Sequence, residues 1–179
     1  MSAQDWHFRG RCFKFGDDIP HANKVIPQWA ISGRHFNPDE LIPHLFEGLR
    51  PGFHKEVKPG DVIVTGENFG MGPKMNGYIA MQALGLGLMC ESMPFLAYRA
   101  ALGVGLKVLN TCEGITKITA QDDEVEIDFA SGHFINHTQN IEEFYRPVPQ
   151  ILHEFVDLGG SKGWLEKWNK EKKAARASG

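Results

Sequence analysis

Apolar and polar positions along the chain follow two different periods. Residues 8–16 (FRGRCFKFG) alternate with period two, which predicts a short strand running into a Gly-Asp-Asp loop. Lys24–Pro27 predicts a second short extended piece, because the residue before a proline is pushed out of the helical region. Asn37-Pro38-Asp39-Glu40 then carries the signals of a helix start: Asn37 as cap, Pro38 in the first turn and acids after it. Leu41, Ile42, Leu45 and Leu49 follow at helical spacing. Lys58-Pro59-Gly60-Asp61 predicts a turn, and Asp61–Gly66 a largely apolar, buried strand.

Helical and extended segments then take turns. Met75, Ile79, Ala83 and Leu86 form one stripe of a helix closed by Gly85 and Gly87, and Leu88-Met89-Cys90 reads as the next strand. Ser92 is placed as a helix cap with Pro94 in the first turn, and Phe95, Tyr98, Arg99 and Leu102 continue that helix. Gly103 and Gly105 end it before a third strand, Leu106–Leu109. Strand, helix, strand, helix, strand at this spacing predicts a parallel α/β unit. Beyond it the period returns to two: Val125, Ile127 and Phe129 share one face while Glu124, Glu126 and Asp128 share the other, a half-exposed antiparallel strand. Ser131-Gly132 turns it toward His133-Phe134-Ile135. Pro149–Leu158 predicts an amphipathic helix, Gly159-Gly160 a break, and Trp164–Lys173 a trailing helix.

Composition narrows the class without naming a function. With 179 residues, 42% hydrophobic and 23% charged, the chain suits one globular domain with a real core, placed at about residues 8–168, followed by a basic flexible tail over 169–179. A net charge of −3 lacks the basic excess of a nucleic-acid or anionic-membrane binder, so neither partner is expected. No apolar run reaches the length of a spanning helix, and the N-terminal residues lack the apolar stretch of a signal peptide. Cys12, Cys90 and Cys112 are odd in number, far apart and without a CxxC pair. They fit reduced thiols in the cytoplasm and cannot by themselves hold zinc or an iron–sulfur cluster. No metal site is expected: the pairs His133/His137 and His35/His44 have poor spacing, and Asp17-Asp18 and Asp122-Asp123-Glu124 read as loop acids.

The strongest local signal is Glu67-Asn68-Phe69-Gly70-Met71-Gly72-Pro73, between the strand 61–66 and the helix after it. Gly70 and Gly72 allow positive φ and close approach of a ligand to the backbone, and Pro73 suits a first helical position. A helix N-terminus there would favour a carboxylate or phosphate. The stretch is neither a Walker loop nor a GxGxxG fingerprint, and a glycine turn without a ligand is the competing reading. Lys74 stands where a cation is disfavoured by the helix dipole, so it is expected to meet an anion or to act as a base, unless it simply points into water.

The order of these pieces resembles the small subunit of isopropylmalate isomerase (3-isopropylmalate dehydratase), equivalent to the swivelling C-terminal domain of aconitase and homoaconitase. Phe13–Ile19 with Val25-Ile26-Pro27 is similar to the family's opening strand and its "GDNIDTDxIIP" loop, and Gly60–Gly72 to "GDIIVAGxNFGCGSSREH". Ser92–Leu106 fits the frame of "SFARIFxRNAINNGL", keeping Ser92, Tyr98, Arg99 and Gly105-Leu106; Ile151-Leu152-His153 with Gly159-Gly160 and Trp164-Leu165 sits at "ILxxGGLxxYLK". The resemblance implies an α/β fold of the aconitase swivelling β/β/α type, with parallel strand–helix units and added antiparallel strands. It also implies a hydro-lyase working with a large subunit that carries a four-iron–four-sulfur cluster, on a small carboxylic-acid substrate. In that frame Lys74 is the base or anion partner, and Asn68, Phe69, Gly70, Met71, Gly72, Pro73, Met75 and Asn76 form the substrate cradle.

The departures from the family fall on its chemistry. Lys74 takes the place of the serine that acts as base, Met75 that of a carboxylate-binding arginine, and Phe95 that of the "SFAR" arginine. The "DTD" of the first loop is replaced by Pro20-His21-Ala22-Asn23. Either Lys74 takes over with a substrate bearing fewer carboxylates or a more apolar body, or the chain is a structural or regulatory subunit without catalysis. A free-standing carboxylate-binding protein is the third reading.

Overall fold

In a computed structural model of the chain, which describes residues 6–72 and 74–177, seven strands form one mixed sheet in the order β4-β3-β2-β1-β5-β6-β7. β1 (His7–Lys14) lies at its centre. Three very short helices follow: α1 (Gln28–Ser32), α2 (Pro38–Leu41) and α3 (Phe53–Glu56). β2 (Val62–Thr65), α4 (Asn76–Ala83), β3 (Gly87–Cys90), α5 (Phe95–Gly103) and β4 (Val108–Leu109) make up the parallel half. β5 (Glu124–Asp128), β6 (His133–Asn136) and β7 (Ile141–Phe144) make the antiparallel half, and α6 (His153–Asp157) and α7 (Ser161–Ala177) end the chain.

The periods explain the two halves. β2 and β3 are buried at every residue, as parallel strands covered on both faces must be, whereas β5 buries Val125 and Ile127 and leaves Glu124 exposed. β1 joins them: Cys12, Phe13 and Lys14 pair in parallel with Val62, Ile63 and Val64, while Phe8 and Gly10 sit opposite Ile127 and Val125 in antiparallel register. The connections β1–β2, β2–β3 and β3–β4 bring the loops that follow all four parallel strands to one edge, the edge where open α/β sheets bind ligands. No helix among the described residues is long and apolar enough to cross a membrane.

Several expectations need correction. α4 does form, but the stripe Met75, Ile79, Ala83 is not its buried face; Gly77, Tyr78, Ala80 and Met81 are buried instead. The cause is close approach: a Cβ on Gly77 would stand 2.4 Å from Val25 Cγ1, so the helix lies down on its smallest residues. Asn37 caps α2 through a bond from the Asp39 amide, yet that helix closes at Leu41 and passes into a single tight turn, leaving Leu49 exposed outside it. Pro149–Leu158 splits into a tight turn, Gln150–Leu152, and α6. β7 is an addition the alternation did not announce, because Ile141-Glu142-Glu143-Phe144 is mostly exposed. α7 runs through Ala177; Ser178 and Gly179 of the predicted tail lie outside the described residues.

Candidate active site

The loop after β2 is built from the core outward. Phe69 is fully buried and continues an aromatic chain: Phe13 packs edge-on to Phe53 at 5.2 Å, Phe53 meets Phe46 at 5.0 Å, and Phe46 lies 6.3 Å from Phe69. Around that anchor the backbone is left-handed at Asn68 (φ 56°), Gly70 (φ 76°) and Gly72 (φ 108°). At Gly70 glycine is required twice over, since a Cβ would also stand 2.0 Å from the Tyr78 hydroxyl.

The amides of this loop are bound internally. Glu67 N–H donates to Asp17 Oδ1 (2.9 Å), Asn68 N–H to Ser92 Oγ (3.0 Å), Phe69 N–H to the Ser92 carbonyl (3.1 Å) and Gly70 N–H to the Ile19 carbonyl (2.7 Å). The Asn68 side chain donates to Asp18 Oδ1 at 2.9 Å. Three expectations change with these bonds. The Asn68, Phe69 and Gly70 amides are not offered to a substrate. Ser92 is not the cap of α5, whose N-cap is Pro94, but a brace of the glycine loop. Asp17 and Asp18 are acceptors that shape that loop.

The other predicted site residues separate into two groups. Asn76 is buried, and its side-chain amide donates to the carbonyls of Ala30 and His35, which ties the start of α4 to the segment after α1. Both donor bonds of its side-chain amide are thus spent on the fold. Met71, Gly72 and Met75 are exposed, Lys74 is half-buried, and Pro73 lies outside the described residues.

His21 is the residue that sequence reasoning passed over. It is fully buried, and its Nε2 accepts the Gly77 N–H of the first turn of α4 at 3.1 Å. Nε2 is therefore the unprotonated nitrogen and Nδ1 carries the proton. Nδ1 has no partner among the described residues, and the same holds for the Tyr78 hydroxyl, whose ring lies 4.8 Å from the imidazole. Burial first, and the Lys74 cation second, press the His21 pKa down to about 4, so the ring is neutral around pH 7. The only signal in the sequence was its place where the family has "DTD".

Beside Lys74 a cleft of about 540 Å³ opens between the start of α4, α5 and the α6–α7 corner. Lys74 and Arg99 line it together with Met75, Leu96, Leu152 and Phe155, and no acid is among the described residues that line it. Arg99 sits one helical turn after Phe95, on the same side of α5. Phe95 (72% exposed) and Leu96 (48%) stand at the start of that helix, and Leu96 and Met75 give the cleft exposed apolar walls.

No group of His, Cys, Asp and Glu among the described residues is placed to hold a metal ion. All three thiols are buried; burial pushes Cys12 and Cys112 up to about 12 and Cys90 well upward, so none presents a thiolate to the cleft.

Comparison with known proteins decides the family. The chain is 40% identical over 156 residues to the 3-isopropylmalate dehydratase small subunit 1 of Archaeoglobus fulgidus, covering 84% of this chain and 92% of that protein. It belongs to the family of 3-isopropylmalate dehydratase small subunits. The methanogen homoaconitase small subunit of Methanothermobacter thermautotrophicus is 36% identical over 155 residues, 85% of this chain and 86% of that one. The crystal structure of 3-isopropylmalate dehydratase from Methanocaldococcus jannaschii superposes with a TM-score of 0.79 at 31% identity, over 94% of this chain and 99% of the other. No family model matches the chain. The α/β fold expected from the resemblance is the fold seen, and the family is one of hydro-lyase small subunits, named for a heteromer with a large one.

Proposed function

We propose that this chain completes the active site of a two-subunit hydro-lyase, which removes and adds water across a hydroxy acid and its enoate. The observation that carries the reading is the cleft: Lys74 stands on its wall, at the C-terminal edge of the parallel strands, with no acid among the lining residues. A four-iron–four-sulfur cluster carried by the large subunit would supply Lewis acidity at the substrate's hydroxyl. This chain does the rest of the positioning. It covers the substrate with the apolar walls given by Met75 and Leu96, and the exposed Met71 and Phe95 offer the large subunit apolar surface to close on.

Lys74 takes the proton from the carbon next to the carboxylate in dehydration and returns it in hydration. Arg99 presents a guanidinium, which offers only donors, so it is a binding group. His21, neutral and bonded to Gly77, holds the first turn of α4 and with it the backbone from which Lys74 projects. The test is turnover of α,β-unsaturated acids by the assembled pair, followed as loss of ultraviolet absorbance. Lys74→Ala should lower kcat by about 10²-fold or more with the subunits still associated. Unchanged turnover would assign this chain a structural or regulatory role instead.

A further inference from the structure

We infer that α7 is a docking arm, whose stripe of Trp164, Leu165 and Trp168 and lysine-rich flank bind an acidic face of the large subunit. This rests on the two-subunit reading above for its partner and not on the proposed reaction. Trp164, Leu165 and Trp168 are all exposed, although they neighbour one another at helical spacing. From Trp168 to Arg176 every residue is exposed, so this end of α7 stands off the domain. A helical end without packing has little stability of its own in water.

Charge is divided at the same place. Residues 161–177 hold six lysines and arginines against two glutamates, so a chain of net charge −3 is +4 there and −7 over the rest. Lys162, Lys173 and Arg176 fall on one face of the helix, next to the apolar stripe. Among the described residues these three enter no ion pair, whereas Lys167, on the side toward α6, is bonded to Glu154.

The surroundings point to the occupant. The Trp164 ring lies 6.2 Å from that of Phe155, and Phe155 and Ser161 both line the cleft, so the stripe begins at the cleft wall. A partner that closes the cleft meets α7 in the same movement, and the surface that complements +4 is acidic. A second copy fits less well. Two α7 helices would set like charges together, and the sheet-face acids Glu124, Glu126 and Glu142 are already bonded to Arg9, His137 and His133. In the pair the tryptophans form the apolar centre of the contact and the lysines its rim.

The experiment titrates the chain against the large subunit and reads the Kd of the pair by analytical ultracentrifugation, with turnover of isopropylmaleate followed in parallel. The wild-type Kd should rise by about tenfold or more between low and high salt. Lys162→Glu, Lys173→Glu and Arg176→Glu combined should raise it at least about tenfold at low salt, and Trp168→Ser should do so at both. All these side chains are exposed, so thermal unfolding and kcat at saturating large subunit should match the wild type. A Kd within about twofold of wild type in both variants would overturn the inference. Self-association, or capture by phosphatidylglycerol vesicles, that the same substitutions abolish would then name the occupant instead. A tight wild-type pair without turnover would keep the docking arm and remove the reaction, whereas no wild-type pair would overturn the arm itself. Lys74→Ala, by contrast, should lower kcat and leave Kd alone.

Discussion

The antiparallel half and the cleft use the same charged residue types in opposite ways. On β1, β5, β6 and the turn after β6, basic groups meet carboxylates: His7 Nε2 lies 3.0 Å from Glu126, His137 Nε2 2.8 Å from the same carboxylate, and His133 Nε2 2.6 Å from Glu142. Arg9 adds its bond to Glu124, and the Glu126 carboxyl is held below its usual range, chiefly by the bond from His137. At the C-terminal edge of the parallel strands, His21 is buried with a lysine as its charged neighbour, and Lys74 and Arg99 line a cleft without an acid. Paired charges on an exposed sheet face are part of the fold. Basic groups gathered without acids are a site waiting for one.

The largest expected effect concerns His21. Its folded pKa is depressed from 6.5 to about 4, so below pH 6.5 the unfolded chain takes up a proton that the folded chain refuses. Stability is therefore full above pH 6.5 and declines as pH falls toward 4, by on the order of 3 kcal/mol across that window. Urea unfolding of the wild type should show this slope and His21→Asn should lack it; an unchanged slope would place His21 among the paired histidines.

Next comes Gly70→Ala, which puts a Cβ at positive φ and against the Tyr78 hydroxyl. It should cost about 2 kcal/mol or more in the same unfolding assay and lower turnover by shifting the backbone ahead of Lys74. Tolerance of alanine would mean that the loop relaxes and its shape is not what places Lys74. The smallest effect belongs to the other half: Glu126→Gln, which removes the charge shared by two histidines, should change stability by less than about 1 kcal/mol and turnover not at all. A loss of turnover there would break the contrast.

What could be read in the sequence follows from what was local. The period-two run 124–129 and the apolar run 61–66 gave β5 and β2 because a strand's pattern reports its own faces. The signals at 67–74 located the loop because glycine and lysine carry their chemistry with them. What escaped depended on distant partners. Nothing near Ser92 tells that its hydroxyl will meet the Asn68 amide, 24 positions away, in place of a helix turn. The buried face of α4 was misread because Gly77 packs by close approach, and a glycine adds nothing to a hydrophobic stripe. Arg99 joins Lys74 only once α5 is laid beside α4, so its role was invisible in the spacing. His21 needed the Gly77 contact, 56 positions on, to become more than a loop histidine.

The most direct test of the division of labour between Lys74 and Arg99 is Lys74→Arg in the assembled complex, with kcat and KM measured on isopropylmaleate. The substitution keeps a positive charge at that place and removes the group that exchanges a proton. The predicted result is a kcat lower by about 10²-fold or more with KM within a few-fold of wild type. A variant that turns over at the wild-type rate would show that Lys74 contributes charge alone and that the proton is moved elsewhere.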